Sequence, residues 1–184
     1  LSANIKSYSL FANPLEIKKK LQLSKKLSLI VNLKTDEIYK KLDKNKHFVY
    51  LKRNITPKEH QKIIELGEIN LKTQLENKRV YPYQNASSHI VGYVNIDNKG
   101  QAGVEWGYED ILIAGKDIYL SIDINLQNAV RQELIETVNK FSADSGLSIV
   151  FDIKKGEILS LNNFPDFNPN NIKDSNLGER LNRS

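Results

Sequence analysis

The stretch Leu126 to Phe141 (LQNAVRQELIETVNKF), followed by Gly146 to Asn162 (GLSIVFDIKKGEILSLN), decides the fold class. Leu126, Ala129, Val130, Leu134, Val138 and Phe141 recur at helical spacing, which predicts the longest regular helix of the chain. Gly146 then opens an apolar run, Leu147 to Ile153, that reads as a strand. Lys154-Lys155-Gly156-Glu157 is a tight turn into its partner, Ile158 to Asn162. A long helix followed by an antiparallel hairpin predicts an α+β architecture in which a sheet begins late in the chain. A sheet only begun should leave the helix face Val130, Leu134 and Val138 uncovered.

Working back from that helix, Asp117 to Asp123 reads as a strand, and Val104 to Leu112 as a short helix ending before Gly115. Residues 96–103 are a turn-rich connection. Arg79 to Tyr83 is extended, because Pro82 lacks a donor and biases its predecessor away from helix. Thr56-Pro57-Lys58-Glu59 carries a capping box with proline at the first helical position, so a helix starts there and closes at Gly67. His47 to Arg53 (HFVYLKR), rich in aromatic and β-branched residues, reads as a strand. Ser24 to Leu33 and Thr35 to Leu42 are two short helices. Asn13-Pro14-Leu15-Glu16 repeats the capping signature and predicts a further helix to about Leu21. The tail from Asn163, with Pro165 and Pro169, lacks apolar period and reads as loop.

A chain of 184 residues with 40% hydrophobic content can bury one good core, or one moderate core plus a partial second, so one domain and a fragment are expected. Lys and Arg number 27 against 22 Asp and Glu, a net +5, which raises nucleic acid and anionic membrane as partners. Apart from Lys18-Lys19-Lys20, Lys25-Lys26 and Lys40-Lys41, the lysines are mixed with acids and lack interleaved stacking aromatics. No nucleic-acid partner is therefore expected. Without cysteine, neither a disulfide framework nor a thiolate metal site can form. No apolar run is long enough for a transmembrane helix, and the start, Leu1-Ser2-Ala3-Asn4, is unlike a signal peptide.

Nucleophilic chemistry needs a serine, threonine or cysteine beside a base. The chain holds no Ser-x-x-Lys and no Lys-Thr-Gly, since Lys34-Thr35 is followed by Asp36. Ser2-Ala3-Asn4 and Ser160-Leu161-Asn162 match Ser-x-Asn, a pattern too short to carry weight. His47, His60 and His89 stand too far apart for a local metal motif. Asp36-Glu37 and Glu109-Asp110 are adjacent pairs, which on a helix point apart and read as solvated faces rather than acid and base.

Arg79-Val80-Tyr81-Pro82-Tyr83, then Ala86-Ser87-Ser88-His89-Ile90-Val91-Gly92-Tyr93-Val94, resembles a pattern of class B penicillin-binding proteins: R-x-Y-P, a few residues, then a-S-H-x-x-G-Y-V. Gly100-Gln101-Ala102-Gly103-Val104-Glu105 continues it as G-x-x-G-[IV]-E, and Leu120 to Gln127 (LSIDINLQ) is similar to the family's L-T-I-D-x-x-L-Q. Ser9 to Pro14 (SLFANP) and Phe48 to Arg53 (FVYLKR) favour the division-type, FtsI-like branch of peptidoglycan D,D-transpeptidases. Val150 to Leu161, Phe164 to Asn170 and Asn182-Arg183 resemble the landmarks that open the transpeptidase domain.

The resemblance implies a mixed α+β pedestal, the dimerisation domain, over residues 1–112. A linker and strand would follow over 113–125, and the truncated start of the penicillin-binding domain over 126–184. It implies a parent that cross-links peptidoglycan stem peptides through an acyl-serine intercepted by β-lactams. That parent would sit on the periplasmic side of the inner membrane, held by an upstream membrane helix, and work with other division or cell-wall proteins or a second copy of itself. The catalytic Ser-x-x-Lys is expected beyond Asn182-Arg183. No catalytic, cofactor-binding or metal-binding residue is assigned within the chain. The motif residues are given structural parts: Gly92, Gly100 and Gly103 for backbone geometry, Pro82 for a rigid turn, and Tyr81 and Tyr93 for packing with a polar tip. Arg79 and Glu105 form a candidate buried ion pair, and His89, Asp123 and Gln127 complete the set.

Overall fold

The computed structural model describes residues 1–183 and divides into two compact units, Asn4–Lys78, and Leu1–Ala3 with the chain from Arg79 onward. In the first unit, strands β1 (Ala3–Ala12), β2 (Val49–Ile55) and β3 (Leu71–Val80) form a sheet of order β2-β1-β3. β1 pairs antiparallel with β2, Tyr8 opposite Ile55 and Ala12 opposite Val49, with two irregularities between. Leu10, Leu51 and Ile55 point from the sheet into a core. That core is closed by α1 (Lys20–Val31) through Leu27, α2 (Thr35–Leu42) through Ile38 and Leu42, and α3 (Pro57–Glu65) through Ile63, all buried.

α3 begins where its cap places it. The Thr56 side chain accepts from the Glu59 N–H at 3.2 Å, while Glu59 accepts from the Thr56 N–H at 2.6 Å. Gly67, at φ 65°, takes the left-handed turn that ends the segment. The similar signature at Asn13 does not propagate. Asn13 caps Leu15 N–H and bonds Glu16, yet residues 14–16 form one turn, and the helix starts only at Lys20. One turn fixes several dihedrals for one hydrogen bond. The later start turns Leu23, Leu27 and Val31 onto the core.

In the second unit, a 3₁₀ turn (Gln84–Ser87) leads into α4 (Ser88–Val91), then α5 (Gly103–Gly107) and α6 (Glu109–Ile113), two turns broken at Tyr108. α7 (Ile124–Lys140) packs on a hairpin of β4 (Gly146–Asp152) and β5 (Glu157–Phe164). A second 3₁₀ segment (Pro169–Asp174) and α8 (Leu177–Arg180) follow, so the tail expected to be loop carries short helical turns. Asp117 to Asp123 is not a ladder strand. Ser121 Oγ donates to Ile158 O at 2.7 Å and only the Asp123 N–H reaches β5, at Leu159 O, 2.9 Å. A side chain thus occupies a carbonyl that a ladder would have used.

The helix face expected to be bare is covered. Val138 is buried and Val130 and Leu134 half-buried against the hairpin, where Gly146 leaves room: a Cβ there would sit 2.7 Å from Val138 Cγ2. The exposed apolar row lies on β4 instead, at Leu147, Ile149 and Phe151, each about half exposed. Among the described residues no helix is long and apolar enough to cross a membrane.

Thr56→Ala removes one half of the capping box and should lower stability by about 1 kcal/mol. Urea denaturation of the whole chain measures it, and an unchanged midpoint would show that the box is decorative.

Candidate functional site

The residues singled out between 79 and 127 lie in the second unit, most of them in two polar groups, one around Arg79, Tyr81 and Glu105 and one around His89 and Gln127. Arg79 leaves the end of β3 and its Nε donates to Glu105 Oε1 at 2.8 Å; the two side chains are 16% and 4% exposed. Arg79 Nη2 also donates to Ser2 Oγ at 2.7 Å. Glu105 lies in the first turn of α5, where a carboxylate is favoured by the helix dipole. Tyr81 is buried, and its hydroxyl accepts from Val94 N–H at 3.1 Å. Burial first, and then the nearby Glu105 charge, push its phenol well above the ordinary tyrosine range. Pro82 follows at the start of the turn into Gln84–Ser87.

The backbone here approaches itself too closely for side chains. A Cβ on Gly92, at φ 77°, would lie 1.9 Å from Ala102 O, and one on Gly100 2.1 Å from Glu105 O. Gly103 lies against Ile90 O in the same crossing. The glycines let the segment after α4 run against α5 and so carry Glu105 to Arg79.

His89 is 8% exposed; its Nε2 is 3.2 Å from Pro165 O and its ring stands edge-on to Phe167 at 5.2 Å. Tyr93 meets the same Phe167 edge-on at 5.8 Å. Burial, aided by the Arg183 charge, lowers the imidazole below its usual value, against Pro165 O and Asp166, which raise it. Asp123 caps α7, its Oδ1 accepting from Asn125 and Leu126 N–H. One turn on, Gln127 is 1% exposed. Its Nε2 donates to Ala86 O, Leu161 O and Asn162 Oδ1 at 2.7 to 2.8 Å, and its Oε1 accepts from Leu161 N–H at 2.9 Å.

Asn170 and Asp166 lie inside the Phe164 to Asn170 landmark without a part of their own in the sequence, and Asn85 and Arg131 lie outside the quoted motifs. Asn170 brackets Tyr81, accepting from its N–H at 3.0 Å and donating to its carbonyl at 2.8 Å. Asp166 accepts from Asn85 Nδ2 at 2.8 Å and from Arg131 Nε at 2.6 Å. Asn and Asp beside prolines read as turn formers, and Arg131 lies on the polar side of a helical pattern, so only contact order would have exposed them. Between Asn85, His89, Gln127, Asn162 and Asp166 a gap of about 10 Å³ remains, room for about one water.

Most polar side chains of these groups bond one another or the backbone. The imidazole nitrogen facing Pro165 O has no hydroxyl to activate. Ser160 is fully buried with its Oγ accepting from Asn162 Nδ2, Ser2 is held by Arg79, and the buried Ser87 hydroxyl has no hydrogen-bond partner, hence no base. Among the described residues no three His, Asp or Glu side chains are grouped to hold a metal ion.

Comparison with known proteins gives this arrangement a context. Residues 1–140 match the family described as Penicillin-binding Protein dimerisation domain. A probable peptidoglycan D,D-transpeptidase PenA from Neisseria gonorrhoeae is 32% identical over 216 residues, covering 100% of this chain and 37% of that protein. Peptidoglycan D,D-transpeptidase FtsI of Escherichia coli is 28% identical over 94% of this chain and 35% of its own length. The chain therefore spans a little over a third of the length of these two relatives. A crystal structure of a peptidoglycan synthetase from Bifidobacterium adolescentis shares the fold over 91% of this chain and 41% of its own, with TM-score 0.51 at 21% identity.

Two outcomes follow from the geometry. Arg79→Met alone strands a buried carboxylate and should destabilise by about 3 kcal/mol, whereas Arg79→Met with Glu105→Leu should recover most of that loss. A double-mutant cycle by chemical denaturation checks it. His89 is depressed in the folded state, so below about pH 6.5 the unfolded chain binds the extra proton first. Stability is full above that pH and falls as pH drops toward the folded value. Melting between pH 7.5 and 5.5 should show this slope in the parent chain and a flatter one in His89→Gln.

Proposed function

Because the chain belongs to the penicillin-binding protein dimerisation-domain family, on its class B, FtsI-like side, we propose that it is the non-catalytic scaffold portion of a peptidoglycan D,D-transpeptidase. In this reading residues 1–112 are the pedestal, 113–125 a linker, and 126–184 the opening of the penicillin-binding domain. The whole protein forms cross-links between peptidoglycan stem peptides through an acyl-serine intermediate during cell-wall synthesis and division. It works at the periplasmic side of the inner membrane, anchored by a helix upstream, with division or cell-wall proteins or a second copy as partners.

The observation that carries the reading is the use to which the motif residues are put. Arg79 meets Glu105, Asn170 brackets Tyr81, His89 faces Pro165, and Gln127 ties Ala86 to Leu161. These side chains are engaged in holding segments distant in sequence, which is the part a scaffold requires of them.

Mass spectrometry after exposure to a penicillin tests this, comparing these 184 residues with the full-length protein. A covalent adduct on the full-length protein alone is expected. An adduct on the shorter chain would mean that a nucleophile lies within it, and an adduct on neither would overturn the transpeptidase assignment.

A further inference from the structure

Charge is divided unevenly between the two units. The unit Asn4–Lys78 holds 17 Lys and Arg against 8 Asp and Glu, a net +9. The remainder of the chain holds 10 against 14, a net −4. Within the basic unit the excess is concentrated: between Ile17 and Thr35 there are six lysines and no acid. This segment contains α1 and the three lysines before and at its start. Lys18, Lys19, Lys25 and Lys26 are exposed and, among the described residues, form no ion pair; Lys20 reaches Asp43 only at 3.9 Å.

The same helix has a second apolar stripe. Leu23, Leu27 and Val31 face the core, which accounts for one side of α1. Leu21 and Leu29, eight residues apart with Lys25 between them, project from the opposite side and are 53% and 87% exposed. Beside Leu21 a shallow groove of about 460 Å³ is lined by Lys18, Lys19, Lys20, Gln22 and Tyr39.

We propose that the outward face of α1, with Lys18 to Lys20 and Tyr39, docks on an anionic phospholipid surface. Leu21 and Leu29 would enter the headgroup boundary and the lysines would lie among the lipid phosphates. Three observations favour this occupant. The charge is of opposite sign to an anionic leaflet and, the Lys20–Asp43 pair apart, is not used internally. The exposed apolar side chains among these lysines are Leu21 and Leu29, which dissolve in acyl chains, and a single aromatic, Tyr39, lines the groove, against the series of platforms on which nucleobases stack. The cations are lysines, Arg53 being the only arginine of the unit and paired with Glu76. Protein interfaces enrich arginine and deplete lysine, whereas attraction to a charged leaflet needs only point charges. The contact would hold the basic unit against the bilayer independently of any spanning helix and of the cell-wall reading above.

Sedimentation of the whole chain with vesicles tests it, using phosphatidylcholine alone and phosphatidylcholine with about one-third phosphatidylglycerol. Binding to the second and not the first is expected, weakening as salt rises. Lys25→Glu with Lys26→Glu should reduce partition by at least about 25-fold, given about fivefold per lysine. Leu29→Ser should reduce it about tenfold at any salt. Lys154→Glu with Lys155→Glu makes the same change of charge in the other unit and should leave binding nearly unchanged. Circular dichroism confirms that each variant is folded. Equal binding to both vesicles, or an equal loss in the Lys154/Lys155 variant, would overturn the proposal. So would binding to soluble polyglutamate that matches vesicle binding and ignores Leu29→Ser, which would point to an acidic polymer.

Discussion

A side-chain carboxamide offers one acceptor and a pair of donors at nearly the spacing of a peptide group, and two such groups hold the second unit together. Gln127 closes on the N–H and carbonyl of Leu161, and Asn170 closes on the N–H and carbonyl of Tyr81. Each clamp does what one rung of a ladder would do, between segments that share no sheet. The position of Arg79 depends on the second clamp, because Tyr81 is two residues on. The fit of α7 on the hairpin depends on the first.

Around the clamps, the charged groups are arranged so that no buried carboxylate stands alone. Glu105 has Arg79, and Asp166 has both Arg131 and Asn85. Buried ion pairs give little net stability, but they penalise every arrangement that separates them. The glycine crossing at Gly92 and Gly100 works in the same direction by steric means, since only one path of backbone permits such close approach. Selectivity of geometry, more than strength, is what these groups supply.

Elements with chemical signals at their ends were legible in the sequence: α3 from its capping box, α7 from its apolar period, and the hairpin from its turn. β1 and β3 were not read as strands, although Tyr8, Leu10 and Ala12, and Leu71, Thr73 and Leu75, alternate. Yet Asn4 and Lys6 stand in the first strand and Lys72, Glu76, Asn77 and Lys78 in the other, residue types depleted in strands. Glu76 is drawn inward only because Arg53 and Ser9 meet it there, a contact between residues tens of positions apart. The site divided in the same way. Arg79, Glu105, His89 and Gln127 stood out through resemblance and Asp166 and Asn170 lay inside a resembling stretch, but the parts played by Asn170, Asp166 and Arg131 come from partners distant in sequence.

The reliance on carboxamides links the second unit to chemical ageing. Asn and Gln are the thermolabile polar residues of proteins, and hydrolysis of either clamp would replace its donor by a second acceptor. At Asn170 the new carboxylate oxygen would face the Tyr81 carbonyl that the amide now binds, so attraction would become repulsion without any change in shape. The lifetime of the folded unit in warm, alkaline surroundings is therefore bounded by the covalent durability of two side chains, however favourable its packing.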